Sequence, residues 1–142
     1  MSFKGIFVFI DDNIHEHTFF KKAVAEICEN EVKSAYDGEQ GLEVIKKNKD
    51  NIFIIFCDVN MPKMNGLELK RVIEGTPELK IKSIPFIFHS TQNNAIVVKE
   101  AYTLGIQGFL KKSDDMNKSI PNLDIIVKLW SAFIHPNSLG AS

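Results

Sequence analysis

Cysteine is scarce in this sequence. Cys28 and Cys57 are its only two, too few for a disulfide framework and too few for a zinc site by themselves. Their ordinary state is a pair of reduced thiols in a cytoplasmic protein. Charge of one sign is also missing. Seventeen basic residues face 18 acidic ones, a formal net charge of −1, and the basic footprint of a nucleic-acid binder is absent. Long apolar runs are lacking too. No stretch approaches the ~18–20 apolar residues that cross a bilayer. The first apolar run, residues 6–10, stops at two aspartates, whereas a signal peptide needs a longer apolar core and a small-residue cleavage site. The expectation is a cytoplasmic protein with neither nucleic acid nor membrane as partner. What remains is ordinary: 142 residues, 44% hydrophobic and 25% charged, one globular domain's worth of chain.

The apolar pattern alternates between two periods. Short β-rich runs occupy residues 6–10, 52–57, 85–88 and 108–110, with a weaker one at 31–36. Helical spacing marks 16–29, 39–47, 67–74, 95–104 and 122–134. The runs at 6–10 and 52–57 are continuously apolar, as parallel strands covered on both faces are. Five strands alternating with five helices predict an open α/β sheet, doubly wound, with helices on both faces. Residues 1–134 form that domain, 135–142 a short polar tail, and no output domain is expected.

In such sheets ligands bind beyond the carboxyl ends of the strands, near the switch in strand order. The predicted strands end in Asp11 and Asp12, in Asp58, in His89, Ser90 and Thr91, and in Lys111 and Lys112. Any one of these alone reads as a helix cap or a solvated loop residue. Charges that collect at the ends of buried strands on one rim need partners. Three crowded carboxylates repel and raise one another's pKa values, and a divalent cation relieves that repulsion. Mg2+ suits oxygen ligands completed by phosphate, and a lysine adds a point charge for a phosphoryl oxygen. The residues point to metal-assisted phosphoryl chemistry on an aspartate nucleophile. His15 and His17 read as a solvated helix face, and His89 as a hydrogen-bonded core residue.

Four segments carry a family resemblance: Val8 to Asn13, Ile55 to Gly66, Ile84 to Thr91, and Gly105 to Lys112. Together they resemble the receiver domain of bacterial two-component response regulators, over nearly the whole chain. The resemblance implies a flavodoxin-like (βα)5 fold with strand order 2-1-3-4-5. It implies Asp58 as phosphoacceptor. Asp11, Asp12, Asp58 and the backbone carbonyl of Asn60 become Mg2+ ligands. Lys112 becomes the conserved-type lysine, Ser90 the switch hydroxyl and Phe109 the aromatic switch. It further implies a sensor histidine kinase or histidine phosphotransfer protein as donor, a downstream protein as reader, and a homodimer formed on phosphorylation. Thr76 to Lys80, Ala101 to Gly105, and Leu129 with Trp130 resemble stand-alone, chemotaxis-regulator-like receivers, those partnered with phytochrome-type kinases among them. Ser113 departs from the family's usual proline after the lysine. The alternative reading is a small phosphohydrolase with Asp58 as nucleophile. Such enzymes place a second acid/base aspartate two residues on, where this chain has Asn60. A flavin-binding reading fails on charge, because Asp11 and Asp12 would repel the phosphate.

Overall fold

The three most apolar runs become the three inner strands of a five-stranded sheet. The computed structural model describes residues 3–91, 94–112 and 120–136. In chain order the elements are β1 (Ile6–Ile10), α1 (Ile14–Ile27), β2 (Val32–Ala35), α2 (Gly38–Lys47), β3 (Ile52–Asp58), α3 (Gly66–Glu74), α4 (Pro77–Lys80), β4 (Phe86–Ser90), α5 (Ala95–Thr103), β5 (Gly108–Lys111) and α6 (Leu123–Ser131). The strand order is β2-β1-β3-β4-β5 and every pairing is parallel. This is the expected order. Every residue of β1, β3 and β4 is buried, whereas the edge strands β2 and β5 are mostly half-exposed.

Alternation along each inner strand divides the core into two layers. Val8, Ile10, Ile55, Cys57, Phe86 and Phe88 face Ile45 of α2, Leu69 and Ile73 of α3, and Ala101 of α5. Phe7, Phe9, Ile54, Phe56 and Ile87 face Phe20 and Val24 of α1 and Leu123 and Val127 of α6. A strand buried on both sides cannot show polar alternation, which is why these runs read as continuous.

The main differences from the sequence reading each have a local reason. A sixth helix, α4, follows α3. Pro77 opens it and Leu79 is buried, but a single turn is too short for any periodicity to register. Helix α1 begins at Ile14 because the Asn13 side chain accepts the His15 backbone N–H at 3.0 Å. Strands β3 and β4 extend to Asp58 and Ser90, so the polar residues continue the ladder rather than leave it. Helix α6 stops at Ser131, leaving Phe133 and Ile134 exposed. His135, assigned to the polar tail, packs its ring against Phe53 and Trp130. No helix among the described residues is long and apolar enough to cross a membrane.

Helix α3 leaves the loop after β3 through a reciprocal cap. The Glu68 N–H donates to Asn65 Oδ1 at 2.9 Å, and the Asn65 N–H donates to Glu68 Oε1 at 3.2 Å. Asn65→Ala should therefore lower stability by about 1 kcal/mol. In urea the midpoint should fall with the slope unchanged; an unmoved midpoint would show that the cap contributes nothing.

Candidate functional site

The boundary between the neighbouring strands β1 and β3, where the strand order reverses, brings two acidic strand ends side by side. Asp11 follows β1 directly and is fully buried. Its N–H donates to the Ala35 carbonyl at 3.1 Å. Its Oδ1 accepts the Asn13 N–H at 2.9 Å, a local turn that aspartate favours. Its Oδ2 lies 2.9 Å from Lys112 Nζ. Asp58 closes β3 and is also buried, with Oδ2 3.6 Å from the same ammonium. Asp12 is exposed at the rim. One oxygen from each of Asp11, Asp12 and Asp58 lies within 4.8 Å of the other two. An all-oxygen donor set of that size fits a hard divalent cation.

Charge in this cluster is not balanced by Lys112 alone. Burial, and then the neighbouring Asp11 charge, push the Asp58 carboxyl up to about 7. Asp12 adds to the rise, while Lys112 and a hydrogen bond from the Asn60 backbone N–H oppose it. Lys112 feels the reverse. Burial disfavours its charge, but the hydrogen bond to Asp11 and the charges of Asp11, Asp58 and Glu16 outweigh that and hold it above the usual lysine range. The lysine stays cationic while the acid it faces is half-protonated near neutrality.

Ser90 ends β4 inside the core, and its carbonyl accepts the Lys112 N–H at 2.9 Å. Phe109 sits opposite Phe88 in the β4–β5 register, half-buried, their ring centroids 6.1 Å apart. Lys111 is exposed and takes no part, as strand alternation requires. After Asp58 the chain returns quickly into α3. The Gly66 N–H donates to the Val59 carbonyl at 2.9 Å. A Cβ on Gly66 would collide with the Asp58 carbonyl and the Phe88 ring, so only glycine fits. Lys63 in that loop takes a left-handed conformation at φ 66°. Ser113 lies outside the described residues.

Three side chains depart from the sequence reading or were missed by it. His15 is exposed, but His17 is buried. The solvated-face reading is therefore corrected for His17. Its Nε2 is 2.7 Å from the Asp11 carbonyl and its Nδ1 2.9 Å from Ser34 Oγ. Burial keeps its pKa below the usual histidine range, against the pull of Asp11. His89 is core, as expected, but neither ring nitrogen is hydrogen-bonded. It stacks on Phe9 with Nδ1 3.7 Å from Asp11 Oδ2. Desolvation first, then the Lys112 charge, hold it well below the usual range. Glu16 was not singled out. It is half-buried in the same field, with its carboxyl raised by burial and by Asp11 against the opposing pull of Lys112. Its signal was position: side chains in the first turns of a helix lean back toward the N-terminus, here toward Asp11.

Residues 7–123 match the family model of the response regulator receiver domain. The chain belongs to this family, the phosphoryl-accepting modules of two-component signalling. Between the signalling and hydrolase readings, the family match selects the first. A probable chemotaxis protein CheY from Rhizobium etli is 28% identical over 109 residues, covering 77% of this chain and 81% of that protein. The transcriptional regulatory protein DegU of Brevibacillus brevis is 29% identical over 129 residues, 87% of this chain. This chain spans only about half, 51%, of DegU's length. Among solved structures, the phosphorylated cyanobacterial phytochrome response regulator RcpA aligns with TM-score 0.81 and 25% identity, covering 95% of this chain and 99% of that one. The Mn2+-bound response regulator Rcp1 shares the fold at TM-score 0.68 and 21% identity, over 90% of each chain.

Proposed function

We propose that Asp58 accepts a phosphoryl group from a phosphohistidine on a sensor histidine kinase or a histidine phosphotransfer protein. The observation that carries this reading is the buried Asp58 carboxylate, facing Lys112 within a three-carboxylate cluster at the switch in strand order. In the transfer an Asp58 oxygen attacks phosphorus in line. The P–N bond breaks, a P–O bond forms, and the donor imidazole nitrogen keeps the electron pair. Asp11, Asp12, Asp58 and the Asn60 carbonyl would hold Mg2+, which supplies charge neutralisation for the phosphoryl oxygens. Lys112 supplies further positive charge on the side of Asp11 and Asp58. Such transfers depend mainly on positioning and electrostatics. The chain would thus promote its own phosphorylation and a slow loss of the phosphoryl group by hydrolysis, acting as a signalling module and not as an enzyme on a separate substrate. Labelling by acetyl phosphate, and its loss in Asp58→Asn, tests the assignment.

The output follows from Ser90 and Phe109. A phosphoryl group on Asp58 adds strong acceptors next to the end of β4. Ser90 moving toward them would vacate space at that end, and Phe109, half-buried one strand over, would fill it. That exchange couples the site to the face of α5, β5 and α6 through two discrete packings. On α5 this face carries the exposed Lys99 and Tyr102, with Val98 half-buried and Ile106 nearby in the core. A kinase, a downstream protein or a second copy would read it. Beryllium fluoride, a mimic of the phosphoryl group, should change amide exchange across residues 90–112 more than across 20–50. Ser90→Ala should bind beryllium fluoride yet blunt the difference. Uniform exchange with and without the mimic would leave an acceptor without a switch.

A further inference from the structure

A buried carbonyl must find a donor, and the carbonyl of Asp11 sits where the chain has left the sheet but not yet entered α1. The first N–H groups of that helix are directed elsewhere: His15 N–H to the Asn13 side chain, Glu16 N–H to the Asn13 carbonyl. The donor the structure gives Asp11 is the ring of His17, at 2.7 Å. A carbonyl only accepts, so the proton is on Nε2. Nδ1 of the neutral ring then accepts the Ser34 hydroxyl at 2.9 Å. The ring cannot easily turn away. Phe9 meets it edge-on, with centroids 4.9 Å apart at 90°, and Tyr36 covers it at 4.3 Å.

The carbonyl of Asp11 and the N–H of Asp12 belong to one planar peptide. Fixing that plane fixes the N–Cα bond of Asp12, leaving only φ and the side-chain torsions to set where its carboxylate points, and so narrows the approach of Asp12 to Asp11 and Asp58. We propose that His17 is a positioning residue for phosphoryl transfer: its Nε2–H anchors the Asp11–Asp12 peptide and so pre-sets the carboxylates that would hold the divalent cation. The proposal rests on the reading of Asp11 and Asp12 as cation ligands. It assigns His17 no contact with metal or phosphoryl group. Ser34, from the edge strand β2, completes the anchor by fixing the other ring nitrogen.

Two amide substitutions separate this role from mere packing. Glutamine can place its amide N–H near the position of Nε2; asparagine reaches only as far as Nδ1. Mg2+ titrated calorimetrically into folded wild type, His17→Gln and His17→Asn should give near wild-type affinity for Gln. The Asn variant should bind roughly ten- to a hundredfold more weakly, the range for groups that orient a metal ligand. Thermal midpoints without metal are measured alongside, because a packing role would lower the midpoint of both variants and leave the affinity of the folded protein unchanged. In the metal-free wild type, 15N spectra of the ring should show Nε2 protonated and Nδ1 bare. Asp12→Asn serves as the control for the cation site. If wild type binds Mg2+ and Asp12→Asn does not, while His17→Asn binds like wild type, the positioning role is wrong and the cation site stands. The opposite ring tautomer would also overturn the role. If wild type and Asp12→Asn bind alike, the cation assignment fails and takes the proposal with it.

Discussion

Acetyl phosphate and Mg2+ should add a single phosphoryl group to this protein, and Asp58→Asn should add none. The modified protein should lose the group to hydroxylamine, as an acyl phosphate does and a phosphoserine does not. The expectation follows from where charge sits. Asp58 is the buried carboxylate of the cluster that a donor can approach along the rim, and an ammonium lies 3.6 Å from it. Asp11, although closer to that ammonium at 2.9 Å, is fully enclosed, with its other oxygen bonded to the Asn13 N–H. The raised pKa of Asp58, about 7, adds a pH signature. At limiting Mg2+ the rate should climb as the pH passes through about 7, because the attacking form is the carboxylate. At saturating Mg2+ the rise should move to lower pH, since a bound cation favours the ionised acid. Equal labelling of the Asp58→Asn protein would remove Asp58 from the role and send the search to Asp12.

Much of this arrangement was legible in the sequence because burial leaves a sharp mark there. Ile6–Ile10 and Ile52–Cys57 are apolar without interruption, and a charge placed directly after such a run requires a partner. That logic alone collected Asp11, Asp12 and Asp58 on one rim with Lys111 and Lys112; the family resemblance chose Lys112, which is the lysine the structure sets beside Asp11 and Asp58. The run from Asp58 to Gly66 added the family. Edge strands leave a fainter mark: β2, half-exposed over Val32, Lys33 and Ser34, reads as a weak strand among polar residues. The single turn of α4 leaves none.

The histidines show where pattern reading fails. Spacing correctly separates His15 from His17, since residues two apart on a helix point in different directions. It does not say that one direction is inward. His17 points inward and its ring pairs with the carbonyl of Asp11, a backbone demand that no side-chain periodicity records. His89 fails differently. A histidine in a buried strand is ordinarily hydrogen-bonded, but here the ring stacks flat on Phe9, with 19° between the planes, and its nitrogens are left without acceptor or donor. Desolvation then holds its pKa well below the usual histidine range, even beside Asp11.

The second large effect is on stability, and it has the sign of an acid held under repulsion. The Asp58 carboxyl titrates at about 7 in the folded chain against 3.8 without the fold, so the folded state binds this proton more tightly. The stability conferred by the proton is fully present below the unfolded value and is lost as the pH rises toward 7. The cost at pH 8, without metal, is up to about 4 kcal/mol. Asparagine has nearly the same shape and never ionises. Wild type and Asp58→Asn should therefore have similar unfolding free energies at the acid end, near pH 4, and separate progressively up to pH 8, with the variant more stable. The difference between the two curves is the quantity to measure, because the wild-type curve mixes opposing contributions. Glu16, also raised, loses stability with rising pH like Asp58, whereas His17 and His89, both lowered, gain it. Subtracting the variant cancels those groups and leaves Asp58. Mg2+ should then close the gap from the wild-type side. At a hundred times its Kd a ligand of the folded state adds about 2.7 kcal/mol, and Asp58→Asn, with one carboxylate fewer, should gain less. Parallel curves from pH 4 to 8 would mean that Lys112 already neutralises the cluster, and that no cation is needed to relieve it.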